Sequence, residues 1–277
     1  MATSTTTDDA QLRQLLRDFI SACHILHHHR VLDAFGHLSV RHPRYADRFI
    51  MSRYIAPGTI SSERDLIEYW VDDAEPVNPS ASKGYTERCI HSEILKRFKD
   101  VHAVVHSHAE AVMPYTISGV PFRPCSHMAG FLSSTSCPVF DIGDHYEAGD
   151  RKDMLVRNTR LGGVLASYFG EGEPAHSVVL MRGHGFTVQG SSIMDVVLRA
   201  VYTLQNASVQ TTALLTQAAY FGGPGVRSGG IDERPEMHYL TQEETEATTE
   251  MSRRSAGRPW RLWLREVEAT GMYVNAA

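Results

Sequence analysis

The chain has only four cysteines in 277 residues, Cys23, Cys89, Cys125 and Cys137, and no two of them form a CxxC pair. That spacing excludes a disulfide framework and a thiolate zinc site, and it reads as four reduced, mostly buried small hydrophobes. No run approaches the roughly 18 apolar residues of a membrane-spanning helix. Basic residues are in deficit, 27 Lys and Arg against 32 Asp and Glu, so there is no electrostatic footprint for nucleic acid or for a membrane surface. The first residues, MATSTTTDDAQ, carry no basic patch followed by an apolar one, and the final Val-Asn-Ala-Ala is no retention or peroxisomal address. The expected compartment is the cytoplasm. Repeats and low-complexity tracts are absent too, and 42% hydrophobic with 21% charged residues describes an ordinary folded chain.

What is plentiful is histidine, fifteen residues of it, and histidine is the commonest metal ligand. Placing the histidines requires a coarse map of elements. Leu12, Leu15, Leu16, Phe19, Ile20, Cys23 and Leu26 recur at helical spacing, which predicts an amphipathic helix with Thr7 as its cap and Asp8 and Asp9 against its dipole. Short strands are predicted at His37–Arg41, Phe49–Ser52, Ser61–Trp70 and Val101–His106, and a helix at Thr86–Phe98. Ser177–Met181 and Phe186–Val188 read as strands broken by Arg182-Gly183-His184-Gly185. Ser192 with Asp195 reads as a capping box opening a long helix to about Gln217. Gly222–Gly230 reads as a linker, followed by helical patterns near Gln242–Arg253 and Pro259–Ala269. Strands alternating with helices argue an α/β fold. Trp260 and Trp263, three apart, suit packing on the chain's own core or on a neighbouring subunit.

His27, His28 and His29 are the most conspicuous run and the least informative, because neighbours on a helix point ~100° apart and cannot converge on one ion. His106 and His108 differ. At the end of an apolar strand, with a side-chain period of two, both imidazoles leave the same face. His102 shares that parity but lies ~13 Å back along the strand, and reads as packing or surface. His184 stands between two glycines, which let a backbone approach closely and take unusual φ. Each feature alone is also an ordinary strand end or turn. Together they supply three histidines with an open fourth position, the pattern of a catalytic rather than structural zinc site. Glu87, in a first helical turn, reads locally as no more than a dipole complement.

These pieces in this order resemble the class II aldolase/adducin family. The resemblance covers about Leu12 to Gln217. It rests on Gly36-His37-Leu38-Ser39-Val40-Arg41, on Glu87 with His91 one turn on, on Val104-Val105-His106-Ser107-His108, and on Arg182-Gly183-His184-Gly185. It implies a three-layer α/β/α sandwich with a mainly antiparallel central sheet, assembled as a homotetramer with active sites at subunit interfaces. A catalytic domain would span residues 8–221 and a helical extension 222–277. It further implies one divalent metal ion per subunit on His106, His108 and His184, with zinc first and manganese, cobalt or iron also accepted by three imidazoles. Glu87 would be the acid/base.

The departures narrow the reading. Phosphate-binding members resemble Gly-Asn-x-Ser in the first loop and Ser-Ser-Glu at the helix start; here those places read Gly36-His37-Leu38-Ser39 and Tyr85-Thr86-Glu87. A Tyr ring takes space and N–H access from a phosphate, so a phosphorylated sugar is disfavoured. The chain is more similar to the branch that decarboxylates hydroxylated aromatic acids, which Phe122-Arg123-Pro124 and His127-Met128-Ala129-Gly130 also resemble. The expected activity is a metal-dependent carbon–carbon lyase acting on a small molecule through an enolate, with decarboxylation ahead of retro-aldol cleavage. His37, Ser39, Arg53 and Tyr85 are the expected substrate contacts. His127 is expected beside Glu87 as a second acid/base, His91 as core, and Tyr273 as a tail residue able to reach the site. The competing readings are a non-enzymatic adducin-like scaffold and an iron oxygenase.

Overall fold

The computed structural model describes residues 2–222 and 235–277; beyond Gly222 the expected glycine-rich linker lies outside the described residues. The first helix, α1 (Ala2–His28), buries Phe19, Ile20, Cys23 and Leu26 from its apolar stripe. It begins before Thr7, which therefore lies inside it rather than at its cap. No Pro or Gly interrupts the polar run ahead of Leu12, so nothing stops the helix from propagating backwards.

Among the described residues seven strands follow: β1 (His37–Arg41), β2 (Arg48–Ser52), β3 (Leu66–Trp70), β4 (Ala103–Ser107), β5 (Val139–Phe140), β6 (Val178–Met181) and β7 (Gly185–Gly190). They form one sheet in the order β3-β2-β1-β4-β7-β6-β5. Every neighbouring pair is antiparallel except β5–β6, which is parallel, so the sheet is mixed with a mainly antiparallel centre. The strand expected from Ser61 starts later, at Leu66. Asp65 Oδ2 accepts the N–H groups of Ser61 and Ser62 at 2.9 and 3.2 Å and winds the preceding segment into a 3-10 turn.

Among the described residues the remaining helices are α2 (Arg88–Arg97), α3 (Met113–Ile117), α4 (Thr159–Ser167), α5 (Ile193–Phe221), α6 (Gln242–Ser255) and α7 (Gly257–Ala269). Strand alternation divides the core in two. Leu38, Val40, Val105, Phe186 and Val188 face α1, α5 and α7, and Met51, Tyr69, Val104 and Val179 face α2 and α4. The result is a three-layer α/β/α sandwich. Trp260 and Trp263 are buried in the first of these clusters, and Trp263 meets the ring of His29 at 5.1 Å. No helix among the described residues is long and apolar enough to cross a membrane.

Two local devices matter for the site. Ser192 Oγ accepts the Asp195 N–H at 3.1 Å and opens α5, while Asp195 reaches back to the Ser191 N–H at 2.9 Å, one residue earlier than a capping box. Arg41, buried on β1, donates to the carbonyls of Leu95 and Phe98 at 2.6 and 3.1 Å. It thereby satisfies the C-terminal end of α2 and holds that helix against the sheet.

Candidate active site

The register brings chemistry-bearing side chains together on the α2 face. His37 of β1 pairs with His106 of β4, and His106 pairs with Thr187 of β7, so three adjacent strands present these residues side by side. His108 lies just past the end of β4, its ring 4.9 Å from that of His106. Between β6 and β7, Gly183 and Gly185 adopt φ of 61° and 138°, and a Cβ on Gly185 would stand 2.0 Å from the Ser107 carbonyl oxygen. Only glycine allows that approach. It carries His184 over β4, with its ring 4.8 Å from His106 and 5.0 Å from His108. Glu87, at the N-cap position of α2 rather than inside the helix, closes the group: its Oε2 lies 3.8 Å from His106 Nε2 and 3.6 Å from His184 Nε2. Ligand atoms of Glu87, His106, His108 and His184 all fall within 4.8 Å of one another.

Whether these residues suit a cation is decided by their tautomers. Thr187 Oγ1 lies 3.2 Å from the Met181 sulfur and 3.2 Å from His106 Nδ1; with its hydrogen on the sulfur it accepts from Nδ1, and the Nε2 of His106 is then bare. The Asp33 carboxylate lies 3.2 Å from His108 Nδ1 and is an acceptor, so the Nε2 of His108 is bare as well. These two Nε2 atoms are 3.1 Å apart. Two lone pairs facing across that gap repel unless a cation lies between them, and Zn–N bonds of ~2.0–2.1 Å would span it. The donor set fits a divalent metal.

Burial sets the electrostatics. It pushes the Glu87 carboxyl up to about 7, against the Val156 N–H that holds Oε1 at 2.9 Å. It pulls His184 down to about 4, helped by His108, and lowers His106 well below the ordinary imidazole range. Asp33 is also raised by burial, but His108 and the N–H groups of Gly36 and Phe35 more than offset this and hold it below the usual carboxylate range.

The other expected site residues are placed unevenly. His37 is buried, with its ring 5.1 Å from His106 and 4.7 Å from Tyr85. Ser39 is wholly buried and bonds His91 Nδ1 at 2.7 Å. Tyr85 is buried and its hydroxyl donates to the Ile55 carbonyl. Arg53 is paired with Asp65 at 2.9 Å, with its side chain 42% exposed. His127 sits exposed on a 3-10 turn, His127–Ala129, and makes no hydrogen bond to the cluster. His91 is core, as expected, yet it is hydrogen-bonded at both nitrogens. Tyr273 is held by His27 at 2.9 Å and stacks on His24 at 4.9 Å. His28 is exposed and His29 pairs with Glu266 at 3.3 Å, so the triple run diverges. Sequence reasoning missed Asp33 and Thr187. Asp33-Ala34-Phe35-Gly36 does carry an Asx-turn signature, but its contact with His108 depends on the folded path of the chain.

An α/β/α sandwich that gathers three histidines and a buried carboxylate at one end of its sheet defines a class of enzyme scaffold. Residues 17–211 match the Class II Aldolase and Adducin N-terminal domain, and the chain belongs to that family. It is 52% identical over 266 residues to decarboxylase tropJ of Talaromyces stipitatus, covering 95% of this chain and 97% of that one. It is 30% identical over 210 residues to a 3,4-dihydroxyphthalate decarboxylase of Arthrobacter keyseri, covering 69% and 76%. Among solved structures, L-fuculose 1-phosphate aldolase from Glaciozyma antarctica superimposes with a TM-score of 0.68 at 16% identity, covering 99% and 95%, a likeness of fold alone. With a near-full-length decarboxylase relative and a cluster of three histidines and a glutamate that could hold a metal ion, the chain is an enzyme of the lyase class.

Proposed function

We propose that the chain is a divalent-metal-dependent decarboxylase of a hydroxylated aromatic or oxo carboxylic acid. The observation that carries this reading is the cluster of His106, His108 and His184 with the Nε2 atoms of His106 and His108 3.1 Å apart, beside the buried carboxylate of Glu87. It is supported by the near-full-length similarity to a decarboxylase and by the dihydroxylated aromatic acid in the name of a second relative. His106, His108 and His184 would hold the metal, zinc first and manganese, cobalt or iron as alternatives. Bound there, a divalent cation supplies Lewis-acid polarisation of the substrate's hydroxyl or oxo oxygen.

The chain's own residues do the rest. When the carbon–carboxylate bond breaks, its electron pair stays on the substrate carbon and CO2 departs. Glu87, whose carboxyl burial raises to about 7, gives its proton to that carbon and is reprotonated from solvent. The Val156 N–H holds one carboxyl oxygen and leaves Oε2 facing the imidazoles. His37 borders the same space and offers a contact for substrate oxygen. Of the residues assigned from the sequence, Glu87, His37 and the three ligand histidines enter this reading, and His127 does not. Residues 8–221 form the catalytic unit and 222–277 the extension, working as a cytoplasmic homotetramer with active sites at subunit interfaces.

Glu87→Gln tests the assignment. It should retain metal, measured by elemental analysis, and lose turnover by roughly 10²–10⁴-fold. Retained turnover would overturn the role given to the carboxylate, and a wild-type protein without stoichiometric divalent metal would overturn the metal. Turnover should persist under anaerobic conditions, because a lyase consumes no oxygen; an oxygen requirement would favour the oxygenase.

A further inference from the structure

Three polar side chains behind the metal ligands form a closed line. Ser39 Oγ lies 2.7 Å from His91 Nδ1, and His91 Nε2 lies 2.7 Å from His37 Nδ1. Ser39 and His37 are two apart on β1, hence on one face, and His91 descends from α2 to bridge them. All three are buried, Ser39 and His91 completely.

A chain of this kind can be protonated in two directions, and only one satisfies every atom. If His91 donated to Ser39, the Ser39 hydroxyl hydrogen would need another acceptor, and Ser39 has no second partner in the structure. A buried hydroxyl left without an acceptor costs about 1–3 kcal/mol. In the opposite direction, Ser39 donates to His91 Nδ1, His91 donates from Nε2, and His37 accepts at Nδ1. The proton of His37 is then on Nε2. That nitrogen has no hydrogen bond to another described residue, and the His37 ring lies 5.1 Å from that of His106, on the side of the cluster.

We propose that the Ser39–His91–His37 line is a tautomer lock that presents His37 to the substrate as a neutral Nε2–H donor, with a substrate carboxylate oxygen as its acceptor. Ser39 and His91 are positioning residues that act through His37. The identity of the acceptor rests on the decarboxylase reading above, whereas the lock does not. A neutral donor suits a carboxylate that must leave. A guanidinium in that place would stabilise the bound carboxylate most strongly before its charge moves into the substrate, and would oppose the step.

Neutron diffraction from crystals of the deuterium-exchanged protein reads the lock directly. Deuterium should appear on Ser39 Oγ pointing at His91, and on Nε2 of both His91 and His37. Deuterium on Nδ1 of either ring overturns the proposal. The acceptor is tested by calorimetry of the metal-loaded protein with 2,3-dihydroxybenzoate and with catechol, which differ by one carboxylate. Ser39→Ala should weaken 2,3-dihydroxybenzoate about tenfold and leave catechol and metal content unchanged, and Ser39→Thr should restore the loss. Equal weakening of both probes, or of neither, removes the carboxylate as acceptor. A wild-type protein that binds neither probe sinks the aromatic reading of the function, and the deuterium positions still decide the lock.

Discussion

Asp33 shows how one side chain can hold two parts of a site. Its Oδ1 accepts the N–H groups of Phe35 and Gly36 at 2.8 and 2.7 Å, forming the turn that leads into His37. The same carboxylate sits 3.2 Å from His108 Nδ1 and fixes that ring. Asp33→Asn separates the two functions, because an amide oxygen still caps the turn but no longer offers a charged acceptor to the imidazole. Chelator competition should show metal binding weakened by about 10–100-fold, the usual cost of losing a partner behind a ligand. Denaturation of the metal-free variant should move little, since the turn survives. Unchanged metal affinity would assign Asp33 to the turn alone. The same logic applies to Thr187, whose lone pair is turned to His106 when its hydroxyl hydrogen is on the Met181 sulfur.

At the scale of elements, the turn into β3 carries a pH dependence. Burial raises the Asp65 carboxyl, but the Ser61 N–H, Arg53 and the Ser62 N–H outweigh it and hold it below its ordinary value. A carboxyl depressed in the folded state contributes stability that is present above the unfolded pKa and is lost as pH falls through the folded one. Urea midpoints of wild type and Asp65→Asn should therefore differ near pH 6 and converge as pH drops below about 4; a gap constant across that range would exclude the effect. Local patterning made much of this architecture legible. The stripe of α1, the apolar face of α5, and the parity that puts His106 and His108 on one side all follow from periods of 3.6 and 2. Helix α4 was not legible, because Gly162 and Gly163 sit in its middle and read against a helix. Gly162 is there for packing: a Cβ would stand 2.5 Å from the Cys89 carbonyl oxygen, so α4 rests on α2 backbone to backbone. The clustered histidines His106, His108 and His184 could be picked out by spacing and by resemblance. Asp33, Thr187 and the Ser39–His91 contact could not, because they join residues 52 to 81 positions apart through a strand register that no local pattern encodes.

At the scale of the molecule, α5 is too long for the sheet it covers. Twenty-nine residues extend roughly 43 Å at 1.5 Å each, against about 20 Å for a six-residue strand. Its buried residues end at Gln210, and on the last turns Leu215 and Tyr220 are 65% and 66% exposed. Val209 and Tyr220 line one side of a shallow groove that shares Ser208 with the cavity bordered by Asp33, His108 and Tyr273. A contiguous exposed apolar surface of that kind suits a contact with another protein surface. A second chain seated on it would lie beside the cavity that His108 borders, which is what active sites at subunit interfaces require. Light scattering should give about four times the mass of one chain. Leu215→Glu combined with Tyr220→Glu should shift the protein to smaller species and reduce turnover while metal stays bound, since no ligand lies on α5. A wild-type monomer with full activity would remove both the tetramer and the idea that neighbouring subunits complete the site.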